Sequence, residues 1–316
     1  MLLVVLVPLA GGYWVKVFTS AMAIAVAASG VAVLYSRVGL VSLAGMALTG
    51  VGGWITLRLY HLTGLPFEVL MLLSGLGAAV VSVIVGLPAL RIRGLYLAIV
   101  TLMAAAGFYV IIGSTGFPDG GHGFFGRVDG THARIYMARS AFFASDIAYY
   151  LYTVAICIIC MLLVRWHQNS KPGRAWAMIR VGDAVAQSCG IRILFYQSWA
   201  FALSGFLAGI AGSMLATSVG ILDSFGFEAD QSILLFALVL IGGPQSWLGS
   251  LLAGILYRVV PALFETWKIE GFIATAIFGA GLIHAIVTAP RGIAGQIEDG
   301  LRFLARKLNL DLDDAP

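Results

Sequence analysis

Charge is scarce in this chain. Lys, Arg, Asp and Glu make up 11% of its 316 residues, against about 25% in an ordinary soluble domain. Apolar side chains reach 60% and the mean hydropathy is +0.96. A soluble core of this size cannot hide so much apolar surface, because folded surface grows too fast with mass. A soluble enzyme, a nucleic-acid module and a disordered tail are therefore excluded. The net charge of +4 is too small and too scattered to hold nucleic acid. Cysteine is also rare. Cys157, Cys160 and Cys189 exclude a disulfide framework. Cys157 and Cys160 lie one helical turn apart in an apolar run with no second pair, which reads as packing rather than as a zinc or redox motif. No G-x-x-x-x-G-K-[ST] occurs. The four lysines are Lys16, Lys171, Lys268 and Lys307, and none sits in that context, so the chain cannot bind ATP through a P-loop. H-E-x-x-H and G-x-S-x-G are missing too. Catalysis by this chain alone is not expected, and neither is a cofactor or a metal; Asp119, His122, Asp129 and His132 have no metal-site spacing.

Long apolar runs remain, and with them an all-α, polytopic integral membrane helix bundle. A bilayer core of about 30 Å needs about 20 apolar residues per helix. Candidate spans lie near 2–14, 17–36, 41–60, 67–88, 94–113, 141–164, 196–218, 230–243, 249–267 and 270–289, which is roughly eight to ten helices. The run at 2–14 lacks a positive n-region and a cleavage signal, and is expected to be a retained short span. Gly242-Gly243-Pro244-Gln245-Ser246 parts two spans and suggests a broken or re-entrant hairpin. Gly is 39 of 316 residues, well above the roughly 7% norm, as close helix contact in lipid requires. The membrane domain is expected over 1–290, with a cytoplasmic tail over 291–316.

Lys and Arg placement sets the orientation. With the 165–195 loop and the tail inside, twelve basic residues lie inside: Arg37, Arg91, Arg93, Arg165, Lys171, Arg174, Arg180, Arg192, Arg291, Arg302, Arg306 and Lys307. Six lie outside: Lys16, Arg58, Arg127, Arg134, Arg139 and Lys268. Both termini then come out cytoplasmic. The 114–140 loop faces outside. The tail has helical spacing of Ile297, Leu301, Leu304 and Leu308, as a helix lying on the membrane surface would.

The inside loop runs from Ser170-Lys171-Pro172-Gly173 to Cys189-Gly190-Ile191. Pro and Gly open it and Gly190 is a natural stop. Between them a short amphipathic helix is expected, with Trp176, Met178 and Ile179 apolar and Arg174, Arg180 and Asp183 polar. Two readings stand: a helix that fills a groove on a partner, and a linker resting on the lipid surface. Gly173-Arg174-Ala175, Ala177-Met178-Ile179-Arg180, Asp183 and Gly190-Ile191 resemble the cytoplasmic loop of the branched-chain amino-acid ABC permeases, M-type. Three more stretches are similar to that family in order: Leu90-Arg91 through Gly94, Tyr96 and Thr101-Leu102; Ala200-Phe201 through Ser204, Gly205, Gly209 and Gly212; and Ser232-Ile233 to Gly242-Gly243, with Gly249 and Gly254. The sequence departs from the family pattern at Ala44, at Pro244-Gln245-Ser246-Trp247 and in the 115–123 loop.

The resemblance implies a permease subunit of an ATP-driven importer in a bacterial inner membrane. It would translocate branched-chain or related amino acids, or small amide-like solutes. The implied partners are a homologous second permease, two ABC ATPase subunits that carry out the hydrolysis, a periplasmic solute-binding protein and membrane lipid, with no nucleic acid. It also implies that Gly173, Arg174, Ala175, Trp176, Ile179, Arg180, Asp183 and Gly190 form the ATPase-coupling helix. Trp176 or Ile179 would be the buried anchor in the ATPase. Gly94, Tyr96, Thr101, Ser204, Gly205, Gly209, Gly242 and Gly243 would belong to the translocation path or to packing. Gly205-x-x-x-Gly209-x-x-x-Ser213 and Gly249-x-x-x-Ala253 read as close packing, or as a gating surface. His284 reads as a packing histidine. Arg258 has three readings: pairing with Glu265, snorkelling to the outside face, or a role in transport. A self-contained secondary transporter or channel is the alternative. It would need a buried mid-span carboxylate, whereas Glu68, Asp146, Asp230, Glu265 and Glu270 cluster at span ends.

Overall fold

A computed structural model of the protein describes Val7, residues 11–90, 95–114, Arg139, residues 143–219, 224–270 and 292–297. Within 271–290 it describes Ile273, Ala276, Gly279, Ala280, Ile283 and Val287. Gly94, Asp119, His122, Asp129, His132, His284 and the surface helix expected in the tail lie outside the described residues, as do most of the 2–14 and 270–289 spans.

Among the described residues the chain is helical, with no strand. The helices are α1 (Gly12–Val33, continued by a π-turn over Leu34–Val38), α2 (Gly45–Thr63), α3 (Phe67–Ala89), α4 (Leu95–Ser114), α5 (Asp146–Asn169), α6 (Lys171–Val181), α7 (Asp183–Ser188), α8 (Ile193–Val219), α9 (Ala229–Gly242) and α10 (Trp247–Thr266). Five are long and apolar enough to cross a membrane: Gly12–Val38, Phe67–Pro88, Asp146–Asn169, Ile193–Ser218 and Trp247–Thr266. Tyr96–Ile111 and Ala229–Gly242 are shorter apolar helices. The protein is thus a multi-pass membrane helix bundle.

α1 and α8 form its centre. Their apolar windows are 83% and 89% buried, against 33–39% for the windows in α3, α5 and α10. A helix that is apolar all round can only be central or lipid-clad; here the central ones are rich in Ala, Gly and Ser, while α3 and α5 carry Leu and Ile on their open faces. α8 runs antiparallel to α3 and parallel to α2. The Ser82 hydroxyl donates to the Phe201 carbonyl at 2.7 Å, and eight residues earlier the Ser74 hydroxyl donates to the carbonyls of Gly52 (2.7 Å) and Gly209 (3.2 Å). Thr56 and Ser213 share a hydroxyl–hydroxyl bond of 2.7 Å. α10 runs antiparallel to α1, with Gly254 against Ala21 and Ala25, and with the Tyr13 hydroxyl donating to Glu265 at 3.1 Å.

The expected division between a span at 2–14 and one at 17–36 does not hold. Residues 12–14 are the first turn of α1, and the helix runs unbroken past Lys16 to Val38. One charged side chain at a helix end does not interrupt the backbone ladder. The 41–60 span starts later than expected, because residues 39–44 are unwound. Gly39 ends the π-turn at φ 81°, and the Leu43 amide donates to the Thr101 hydroxyl at 2.9 Å. Irregular backbone at this depth is tolerated because it is buried in protein and supplied with side-chain partners. The elbow foreseen at Gly242-Gly243 is present between α9 and α10.

The two ends of the bundle differ in chemistry. At one end Arg139 donates to Asp146 (2.6 Å) and to the last carbonyls of α8, Ser218 at 2.8 Å and Thr217 at 3.4 Å, while Lys16 stands 3.7 Å from Asp146. At the other end lie α6, α7, Arg37, Arg192 and the α9–α10 elbow. Gly292 packs directly on Gly243 there, and Ala294 is fully buried.

Candidate functional site

The segment from Ser170 to Ile191 is held in shape by its small residues. Ser170 is extended, and its hydroxyl donates to the His167 carbonyl at 2.8 Å, which ends α5. Pro172 fits the first turn of α6, where an amide has no helical partner anyway. A methyl group at Gly173 would run into the Gln168 backbone, so only glycine lets α6 turn this tightly off α5. At Gly182 the chain is extended (φ 163°, ψ 147°) and separates α6 from α7. Gly190 adopts φ 71°, and the amides of Gly190 and Ile191 donate to Gln187 and Ala186, a glycine-dependent helix stop.

One face of α6 is sewn to the bundle. Trp176 is fully buried and its indole N–H donates to the Tyr196 carbonyl of α8 at 2.8 Å. Ala175 and Ile179 are buried on the same face, at the spacing expected of one helical stripe. This corrects the expectation that Trp176 or Ile179 anchors a partner: large apolar side chains on a short helix are consumed first by the body beside it. The outward face carries Met178 (41% exposed) and Val181 (74%), and Val185 (42%) is exposed on α7 beyond the Gly182 break. Sequence reasoning missed Val181 and Val185. The i, i+3 relation of Val181 to Met178 is visible in the sequence, but the stronger Trp176–Ile179 stripe masks it; Val185 lies beyond the Gly182 break, where no helical register carries over. Arg174 and Arg180 are exposed as well.

Beneath the segment lies a cleft of about 620 Å³, lined by Ile179, Arg180, Asp183, Gln187, Arg192 and Leu194, among others, and floored by the end of the π-turn at Val38–Leu40. Arg37 donates to Gln168 at 3.1 Å, which ties the π-turn to the end of α5. Arg37 and Arg180 are close enough to repel. A movement of α6 is therefore felt by α1, through the π-turn, and by α8, through Trp176.

The residues expected at the path or in packing do not gather with this segment. Thr101 is fully buried, donates to Ala98 and accepts from Leu43, so it props the unwound 39–44 stretch. Ser204, Gly205 and Gly209 lie in the α8 seam. A methyl at Gly209 would fall 2.6 Å from the Ser74 carbonyl and 2.8 Å from Ala78, and a methyl at Gly30 would fall 2.9 Å from the Ser204 carbonyl. Gly242 and Gly243 meet Gly249 at the elbow. Tyr96 is exposed on the outer face of α4. Arg258 does not pair with Glu265, which takes the Tyr13 hydroxyl; its guanidinium lies 5.6 Å from the Tyr257 ring centre. Cys157 and Cys160 are buried and unbonded. Among the described residues no group of His, Cys, Asp and Glu could hold a metal.

Residues 13–286 match the family model described as branched-chain amino acid transport system / permease component. The chain is similar to the high-affinity branched-chain amino acid transport system permease protein LivM of Escherichia coli (strain K12), with 27% identity over 281 residues. The LivM of Salmonella typhimurium (strain LT2) gives the same figures. Each alignment covers 80% of this chain and 64% of the relative, so the chain spans less than two thirds of the length of the curated relatives it matches. No solved structure matches.

Proposed function

The chain belongs to the branched-chain amino acid transport system permease family, and we propose that it is a permease subunit of an ATP-driven importer. Its solutes are branched-chain or related amino acids, or small amide-like solutes. A periplasmic binding protein delivers them, a homologous second permease supplies the other half of the path, and two ATPase subunits supply the energy. ATP hydrolysis belongs to those partners. The membrane domain reaches to about residue 290, the tail and both termini face the cytoplasm, and the membrane is the bacterial inner one.

The observation that carries this reading is the two-faced α6. Its inner face is spent on the bundle through Trp176, Ala175 and Ile179, while Met178 and Val181 stand open, as do Arg174, Arg180 and, on α7, Val185. An exposed apolar row with a basic rim on a rigidly mounted short helix is a ready fit for a groove on a partner. Gly173 and Gly190 set where the segment begins and ends; Asp183, half-buried at the cleft, orients the start of α7. The small-residue contacts of α8 make α2, α3 and α8 one block, against which the rest can move.

The test is purification of the tagged chain from its own membranes, with solute uptake measured in parallel. The reading expects an ATPase and a second permease to co-purify, and uptake of leucine to stop when ATP is depleted. Uptake that survives ATP depletion, with no ATPase bound, would instead favour a self-contained transporter.

A further inference from the structure

Two charged side chains, Arg258 and Asp230, stand exposed on neighbouring helices of the bundle. Arg258 is exposed on α10. The exposed tryptophans Trp247 and Trp267 mark the two ends of that span, as interfacial aromatics do. At 1.5 Å per residue, Arg258 lies about 16 Å from the first and about 13 Å from the second, close to the middle of the bilayer. Side chains lean toward the helix N-terminus, away from the nearer membrane surface, so snorkelling there is opposed. No described carboxylate pairs with it; its contact is the Tyr257 ring. Asp230 is exposed at the start of α9, and both charges lie near enough to Tyr257 to act on it. Tyr257 donates its hydroxyl to Gln231 Oε1 at 2.6 Å, and the Asp230 carboxylate accepts the backbone N–H of Gln231 at 2.8 Å. The part-buried Tyr257–Gln231 bond thus joins the helix that carries the cation to the helix that carries the anion.

Charges at this depth are costly against lipid and face a bundle interior or an aqueous cavity. A lipid-facing role accounts for neither sign. A contact with a second permease would need one charge of each sign on that partner to match them. A zwitterion fits both, since an α-amino acid carries a carboxylate and an ammonium within one small unit. We propose that Arg258 and Asp230 line the translocation path and hold the carboxylate and the ammonium of the passing amino acid. This rests on the importer reading above.

The test uses the complete transport system in its own membranes, with radiolabelled leucine as the probe. A binding protein sets half-saturation, so Arg258→Met and Asp230→Asn should lower the maximal uptake rate about tenfold or more, with half-saturation unchanged. Arg258→Lys should retain an intermediate rate. In a Cys189→Ser background, Arg258→Cys should react with a water-soluble methanethiosulfonate, and leucine with its binding protein should slow that reaction. Wild-type uptake by Arg258→Met overturns the proposal. So does an unreactive Arg258→Cys, as a lipid-facing position would give. So does loss of the second permease on purification of Arg258→Met, which would make Arg258 an interface residue. If the unmodified chain takes up no leucine and binds no ATPase, the importer reading itself fails, and this site with it.

Discussion

Trp176→Phe and Val181→Glu alter opposite faces of α6 and should fail in opposite ways. Trp176 is fully buried and bonded to the Tyr196 carbonyl. Phe keeps most of the ring but loses the indole N–H. The Tyr196 carbonyl still serves the α8 backbone ladder, so the cost is that of one ordinary hydrogen bond and a small void, about 1–2 kcal/mol. Trp176→Ala removes the whole side chain and costs about 3–5 kcal/mol, enough to release α6 from the bundle. Val181 is 74% exposed and supports nothing behind it. Glu there should change stability by no more than about 0.5 kcal/mol. It does place a charge at the centre of the proposed docking row, where hot-spot losses of about 2 kcal/mol or more are expected, some thirtyfold in ATPase affinity. Two assays on each variant separate these: thermal melting in detergent, and retention of the ATPase on a tagged column. The Trp176 series should lower the melting temperature in the order Ala, then Phe. Val181→Glu should melt like the parent and lose the ATPase. A Trp176→Ala protein with parental melting, or a Val181→Glu protein that melts lower yet keeps its ATPase, would refute the assignment of the two faces.

Gly209→Ala forces a methyl against the backbone of α3 and should destabilise the bundle by about 1–3 kcal/mol, read as a lower melting temperature. Arg139→Ala frees the last carbonyls of α8 and leaves Asp146 with Lys16 alone; it should cost about 1–3 kcal/mol. Lys16→Ala, at a 3.7 Å contact with a 60% exposed ammonium, should cost less than about 1 kcal/mol and matter less still in high salt. Thr101→Val removes the acceptor for the Leu43 amide and should cost about 1–3 kcal/mol, whereas Thr101→Ser should be close to silent in the same melting assay.

Much of this architecture was legible because membrane helices announce themselves by length and apolarity. The ends of the α6–α7 segment were legible for a local reason: Pro172, Gly173 and Gly190 each answer a backbone requirement at their own position. The elbow at Gly242-Gly243-Pro244 was legible for the same reason. What could not be read is which face of α6 turns inward, because that depends on α8 standing beside it and claiming Trp176. The unwound stretch at 39–44 was hidden within an apolar run. Its amide partner, the Thr101 hydroxyl, lies 58 residues away, and no periodicity reports such a contact. Arg258 and Asp230 stood apart in the sequence, and the Tyr257–Gln231 bond that joins their helices has no periodicity to report it.

The most direct measurement is site-specific photocrosslinking from Val181 in intact membranes under ATP turnover. An adduct with an ATPase subunit, formed from Val181 and Met178 but not from Trp176, is what a motor gripping the outer row of α6 must give. Adducts with lipid alone, or with a protein on the opposite side of the membrane, would contradict it.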